Sequence, residues 1–363
     1  MWGIEWTLSR VLNLVVPPLG LLLLLAWAPV LFALNYVVRL WRSFFSWTAA
    51  RDKTVLITGA SSGIGEQIAY EFARRGSRLV LCAQREGRLA EVARRCGNMG
   101  AEAVRTVEGD VAKEEDCRRM VDAAISHFRT LDYLVCNAGI GHTFLFKDAQ
   151  SIEAMRQVMD VDFFGSMWIT LHALPYLRRA RGQILVNASI GAFLPMPRFS
   201  IYNAAKAGLT QFFDTLRAEP VGVDVGITIG FPGATASELT AGKTLDELGR
   251  LVVDQERRDL LLGPQPMLRT STVAKALVDG ACCGARYVLI PTWFSAALLF
   301  RLFAPEALEL TLRMMMLPLM KGTTPPAKYL MDAVKGREVF YHPPATSQEK
   351  AETAVYRTGE NRK

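Results

Sequence analysis

The sequence predicts an α/β fold: a doubly wound parallel sheet with helices on both faces, behind an N-terminal apolar anchor. Three observations predict it. From Lys53 to Pro291, short apolar, β-branched runs alternate with amphipathic helical stretches, the pattern of repeated βα units whose strands are buried on both sides. A glycine-rich turn, TGASSGIG from Thr58 to Gly65, follows the first apolar run and opens the first helix. No charge occurs between Arg10 and Arg39, a stretch long enough to cross a bilayer as a helix.

The elements follow in order. KTVLITG is a strand, and GEQIAYEFARRG a helix closed by Gly76. SRLVLCA, AVRTVEGDV and LDYLVCNAG are the next strands, separated by the helices EGRLAEVARRCGNMG and EDCRRMVDAAISHF. A long helical region over 151–180 leads to the strand GQILVNAS, a helix over about 200–218, the strand DVGITIGF, a helix over 271–283 and the strand RYVLIP. This organises the chain into an anchor (1–48), a catalytic-type body (49–291), an apolar C-terminal segment (292–340) and a polar, loose tail (341–363).

The anchor carries Pro17, Pro18 and Pro29. Each removes a helix hydrogen bond and crowds the preceding turn, so a hairpin over 11–38 is expected in place of one straight span. A hairpin puts Arg10, Arg39 and Arg42 on the cytosolic side. AWA at 26–28 imitates a signal-peptidase site, but the apolar run continues to Val38 and Pro29 follows at once; an uncleaved anchor is expected. Arg39, Arg42, Arg51 and Lys53 suit anionic headgroups.

Composition excludes several classes. Net charge is +7, yet the basic residues are dispersed along helices, which argues against nucleic acid as a partner. The six cysteines have neither a paired framework nor metal spacing and read as reduced core residues. His127, His142, His172 and His342 are scattered, so no metal site is expected.

The chemistry-bearing residues lie at strand ends. In a Rossmann-type sheet, ligands bind outside the carboxyl ends of the strands. There Gly59 permits a tight turn, and Gly63 and Gly65 admit a pyrophosphate at the helix N-terminus, with Ser61, Ser62 and Ile64 beside them. Asp110 and Val111 end the third strand, where Asp110 is expected to reach an adenine. Asn137, Ala138 and Gly139 end the fourth and allow close backbone approach. Tyr202 and Lys206 (YNAAK) share one helix face. A phenol titrating near 10 is a poor base at neutrality; an ammonium one turn away favours the phenolate. Ser189 lies 13 residues before Tyr202 and has a hydroxyl to polarise a carbonyl.

Together these motifs resemble the short-chain dehydrogenase/reductase family over residues 52–291. The resemblance implies hydride transfer between a nicotinamide and a carbonyl/alcohol pair. It makes Ser189 the residue that orients the substrate oxygen and Tyr202 the general acid/base, with Lys206 tuning the tyrosine and binding the nicotinamide ribose. Pro232, Gly233 and Thr235 in FPGATAS match the segment beside the nicotinamide. Two departures stand out. Asp162, in VMDVDFFG, stands where the family carries an asparagine supporting a proton-relay water. After the second strand, Ala83 stands where an NAD-selecting acid belongs, followed by Gln84 and Arg85; NADP is expected over NAD.

The anchor with its proline knob, EEDCRRMVDAAISHF and the late stretch RYVLIPTWFSAALLFRLFAPEALELTLRMM also resemble the plant steroleosins, hydroxysteroid dehydrogenases of seed oil bodies. That resemblance implies a steroid or sterol-like substrate, a lipid-droplet monolayer or endoplasmic reticulum membrane as the site, and a cytosolic catalytic domain. The late stretch reads either as a lipid-facing substrate lip or as a buried helix or homodimer contact. Two other functions compete: a reductase of another lipid ketone such as a keto-sphingoid base, and a non-catalytic lipid-droplet scaffold.

Overall fold

The computed structural model describes residues 2–43, 48–254, 267–318 and 324–333. The tail expected over 341–363 lies outside the described residues. The chain divides into two units, Met1–Trp47 and Thr48–Lys363.

The first unit is a helix, α1 (Trp2–Ser43), of 42 residues with all three prolines inside it. This corrects the expected hairpin. Each proline deletes one hydrogen bond, whereas a turn in an apolar medium would leave several backbone groups unsatisfied. Between Pro18 and Pro29 the chain is mostly leucine and alanine, good helix formers, with Gly20 and Trp27 the exceptions. Its apolar part, Ser9–Val38, is long enough to cross a membrane.

In the second unit, seven parallel strands run in the order β3-β2-β1-β4-β5-β6-β9. They are β1 (Thr54–Thr58), β2 (Arg78–Ala83), β3 (Ala103–Glu108), β4 (Tyr133–Cys136), β5 (Gln183–Asn187), β6 (Gly226–Pro232) and β9 (Tyr287–Ile290). Central β1 is buried at every residue, whereas edge strand β3 is not, as the position of each in the sheet requires. Helices α2 (Gly63–Arg74), α3 (Glu86–Asn98), α4 (Glu114–Phe128), α5 (Ile152–Met159), α6 (Gly165–Ala180), α7 (Ser200–Ala218), the short α8 (Val221–Asp224) and α9 (Thr270–Cys282) cover the two faces. Two large apolar clusters result. One packs α2, α3 and α9 on the sheet, the other α4, α6 and α7. A smaller third lies around Val158, Phe199, Tyr202, Ala205 and Leu245. Five of the six cysteines are buried and none is in a disulfide.

Strand order reverses between β1 and β4. The chain leaves these two neighbours toward opposite faces, which opens a crevice at their carboxyl ends.

Three features depart from the sequence reading. The helix expected over 151–180 is broken by a π-helical turn, Asp160–Phe164. A two-stranded antiparallel ribbon, β7 (Lys243–Leu245) and β8 (Leu251–Val253), interrupts the segment after β6. The late apolar stretch forms α10 (Ser295–Phe303) and α11 (Pro305–Met316), followed by α12 (Pro326–Ala333). In α10 no side chain is buried; Leu302 and Phe303 are 72% and 78% exposed, so the reading as a buried helix does not hold within this chain.

Candidate active site

The crevice is a cavity of about 540 Å3 lined from every strand end of the switch point. Its floor is built by hydrogen bonds between strands. The Thr58 hydroxyl donates to the Val135 carbonyl at 3.1 Å and accepts from the amides of Asn137 and Ala138 at 3.0 and 3.2 Å. The Asn137 side chain donates to the carbonyls of Thr58 and Gly59 and accepts from Asn187. Asn137 thus spends its amide locking β1, β4 and β5 together.

The glycine turn has two kinds of glycine. Gly59 and Gly63 have φ of 65° and 62°, a left-handed conformation that other residues enter at a cost. Gly65 has another purpose: a Cβ there would lie 2.3 Å from both the Gly59 carbonyl oxygen and the Asn137 amide nitrogen. It permits close packing of the helix start against the glycine turn and the Asn137 side chain. Asp110 lies between Gly109 and Val111, which line the cavity; its carboxylate accepts from the Ala112 amide at 3.0 Å.

The other expected contacts face the cavity: Ser61, Ser62, Ile64, Gln84, Arg85, Val111, Ala138, Gly139, Pro232, Gly233 and Thr235, together with Gly59, Gly63 and Asn137. The fit to a dinucleotide is physical. Helix α2 begins without a side-chain cap, which leaves amide donors for a phosphate. Ser62 does not cap because its hydroxyl accepts from Arg85 at 2.7 Å.

Ser189, Tyr202 and Lys206 also face the cavity, each largely buried. Gly191 packs between the first two; its Cβ would lie 3.4 Å from both the Ser189 hydroxyl and the Tyr202 ring. Lys206 Nζ lies 5.5 Å from the centre of the Tyr202 ring and 3.1 Å from the Asp162 carboxylate. Asp162 is fully buried and accepts from the Ile140 amide at 2.7 Å. The π-helical turn delivers it: the wider turn aims one carboxylate from the middle of a helix toward the strand ends.

The electrostatics follow from this pairing. Burial pushes the Tyr202 phenol above its ordinary value; Lys206 pulls it down, Asp162 pushes it up and the Ser189 hydroxyl pulls it down. For Lys206 burial opposes the charge, but Asp162 and Tyr202 outweigh it and hold the ammonium above its ordinary value. Burial pushes the Asp162 carboxyl up against the pull of Lys206 and the Ile140 amide.

His142 was not singled out by the sequence, since an isolated histidine has no spacing signal. Its Nε2 accepts from the amides of Ile201 and Tyr202 at 3.0 and 3.3 Å. It therefore satisfies the first turn of α7 and sets where Tyr202 begins. Burial holds it neutral, with a pKa lowered to about 4. Glu238 and Lys243 at the rim were missed too: they come from the segment after β6, Glu238 from its loop and Lys243 from the start of β7. Among the described residues no cluster suited to a metal ion occurs.

Such a crevice, with a glycine turn at an uncapped helix and a buried Ser–Tyr–Lys set, defines a dinucleotide-binding oxidoreductase site. Residues 53–248 match the family model described as short chain dehydrogenase. An 11-beta-hydroxysteroid dehydrogenase of Pinus massoniana is 45% identical, with 85% of this chain and 86% of the relative covered. The 11-beta-hydroxysteroid dehydrogenase A of Sesamum indicum is 44% identical, with 84% and 87% covered. Among solved structures, an alcohol dehydrogenase from Thermococcus sibiricus complexed with 5-hydroxy-NADP shares 26% identity at a TM-score of 0.53, covering 62% of this chain and 88% of that one. The chain belongs to the short-chain dehydrogenase/reductase family, within which its relatives are plant hydroxysteroid dehydrogenases.

Proposed function

We propose that this chain is an NADP(H)-dependent, membrane- or lipid-droplet-anchored dehydrogenase/reductase acting on a steroid or sterol-like hydroxyl/ketone pair. The observation that carries it is the buried set of Ser189, Tyr202 and Lys206 facing one cavity with the glycine turn. The relatives' names support the substrate class. Ala83 and Arg85 at the end of β2 support the coenzyme preference, since no acid meets a ribose 2′-hydroxyl there and a guanidinium can meet a 2′-phosphate.

A nicotinamide bound in the cavity supplies or accepts the hydride. The chain's residues handle the oxygen and the proton. Ser189 donates its hydroxyl to the substrate oxygen and holds it beside Tyr202. In reduction the Tyr202 phenol gives its proton to the carbonyl oxygen; in oxidation the phenolate takes it from the alcohol. Lys206 stabilises the phenolate by its charge and offers an ammonium to the nicotinamide ribose. Asp162 acts through Lys206 as a positioning residue. It fixes the ammonium and offsets part of its charge.

The membrane reading rests on α1 and on the exposed apolar side chains of α10 and α11, among them Leu299, Phe300, Leu302, Phe303 and Leu310. A patch of this kind marks a lipid or protein contact. It gives an apolar substrate a path that avoids water.

The test is turnover by full-length protein in detergent with NADPH or NADP+, against steroids and long-chain keto-sphingoid bases. Steroid turnover faster with the phosphorylated coenzyme supports the proposal. Turnover of the sphingoid base alone replaces the substrate. No turnover of either, with no dinucleotide bound, leaves a scaffold protein.

A further inference from the structure

The segment after β6 reaches across the mouth of the cavity to the end of β2. Glu238, on that segment, places a carboxylate oxygen 2.7 Å from the Arg85 guanidinium. Arg85 is oriented by the Ser61 and Ser62 hydroxyls at 3.1 and 2.7 Å. It is thus the cation aimed at the glycine turn, where the adenosine end of a dinucleotide must pass. Lys243 holds the other Glu238 oxygen at 2.7 Å.

We propose that Glu238 is a coenzyme-selecting residue: its carboxylate occupies Arg85 in competition with the 2′-phosphate of NADP(H), and so moderates the preference for NADP(H) over NAD(H). The inference rests on the coenzyme reading above and deepens it.

The local chemistry is suited to exchange. A carboxylate and a phosphate monoester are both oxyanions that guanidinium binds in a forked geometry. Glu238 holds Arg85 Nη1 while Ser61 and Ser62 hold Nη2, so a phosphate arriving at Nη1 meets the carboxylate there, and two anions side by side repel. The side chains of Arg85, Glu238 and Lys243 are 40%, 35% and 31% exposed, so water attends the exchange and no charge is stranded in an apolar interior. Lys243 remains beside Glu238 when Arg85 turns to a phosphate, so the displaced carboxylate keeps a partner.

The segment is also held in place. The Thr240 hydroxyl accepts from the Ser237 amide at 2.9 Å and donates back to the Thr235 carbonyl. Glu238 therefore sits on a braced turn beside the glycine loop; a Cβ on Gly63 would lie 3.6 Å from Ser237. NAD(H), with a neutral 2′-hydroxyl, does not contest the guanidinium and leaves the pair intact.

The experiment is calorimetric binding of NADPH, NADH and 2′,5′-ADP to purified full-length protein, as wild type, Glu238→Gln, Arg85→Gln and the double variant. Glu238→Gln keeps the side chain's shape and removes its charge. It is expected to tighten NADPH and 2′,5′-ADP by about threefold to fivefold, the scale of a solvent-screened ion pair, and to change NADH by less than about twofold. In the Arg85→Gln background the same substitution is expected to change nothing. Equal tightening or loosening of NADPH and NADH by Glu238→Gln overturns the inference and makes the pair a clasp over any coenzyme. An unchanged 2′,5′-ADP affinity overturns it as well. Wild-type protein that binds neither dinucleotide overturns the dehydrogenase reading and this inference with it.

Discussion

One cavity contains two acid–base pairs that differ in almost everything but distance. Asp162–Lys206, at 3.1 Å, sits at the floor with side chains 0% and 5% exposed. Glu238–Arg85, at 2.7 Å, sits at the rim with side chains more than a third exposed. The buried pair cannot dissolve: an isolated charge there has no water to turn to, so removing one partner costs far more than the pair contributes. It acts as a fixed charge arrangement around Tyr202. The rim pair is screened and contributes little to stability. It is free to exchange partners. On the proposed function, the floor carries proton chemistry, which needs a constant environment, and the rim carries recognition, which needs a replaceable one.

The sharpest way to break the floor is Tyr202→Phe. It removes the proton-transfer group and keeps the ring, and turnover should fall by about 10²–10⁴-fold, with NADPH affinity within about twofold by calorimetry. Turnover close to wild type would remove Tyr202 from the mechanism.

The two cations provide the next contrast. Lys206→Met strands the Asp162 carboxylate and should cost about 3–5 kcal/mol in denaturant unfolding. Arg85→Gln should cost about 0–1 kcal/mol. Similar losses at both sites would erase the distinction drawn here.

Asp162→Asn tunes the floor while keeping a hydrogen-bond acceptor beside the Lys206 ammonium, whose buried charge then lacks its carboxylate partner. Asp162 holds the Tyr202 phenol up, so the variant should ionise at lower pH. Oxidation needs the phenolate, and its pH–rate profile should shift toward acid with activity kept or raised. A shift toward alkali, or a large loss at every pH, would give the carboxylate a role of its own.

The effect at His142 is confined to acid pH. Its pKa is about 4 when folded and about 6.5 when unfolded. The unfolded chain binds the extra proton first, so stability is full above pH 6.5 and falls as pH drops toward 4. His142→Gln should flatten that part of a plot of Tm against pH between 7 and 5; an unchanged slope would assign the acid sensitivity elsewhere.

The floor was legible in the sequence because its chemistry depends on local spacing. Tyr202 and Lys206 meet because four residues make one helical turn, and Gly59 and Gly63 announce a turn that needs their backbone freedom. The order of strands and helices was legible from the alternation of buried runs and amphipathic stretches. The sequence by itself thus determined the parallel sheet covered by helices and put Tyr202 and Lys206 on one helix face; the order of its strands, and with it the switch point, came from the tertiary structure.

Tertiary structure decided what depends on contacts distant in sequence. Asp162 reaches Lys206 only because a π-helical turn redirects it. His142 meets the start of α7 across 59 residues. Gly65 packs against the Gly59 carbonyl and the Asn137 side chain, and Asp110 accepts from the Ala112 amide. The prolines of α1 stay helical because hydrogen bonding in an apolar segment is cooperative along its length. Glu238 meets Arg85 across 153 residues, and no periodicity encodes that meeting. Local patterns record the torsions and faces of one segment, whereas a charge pair between two segments exists only after the sheet has brought their ends together.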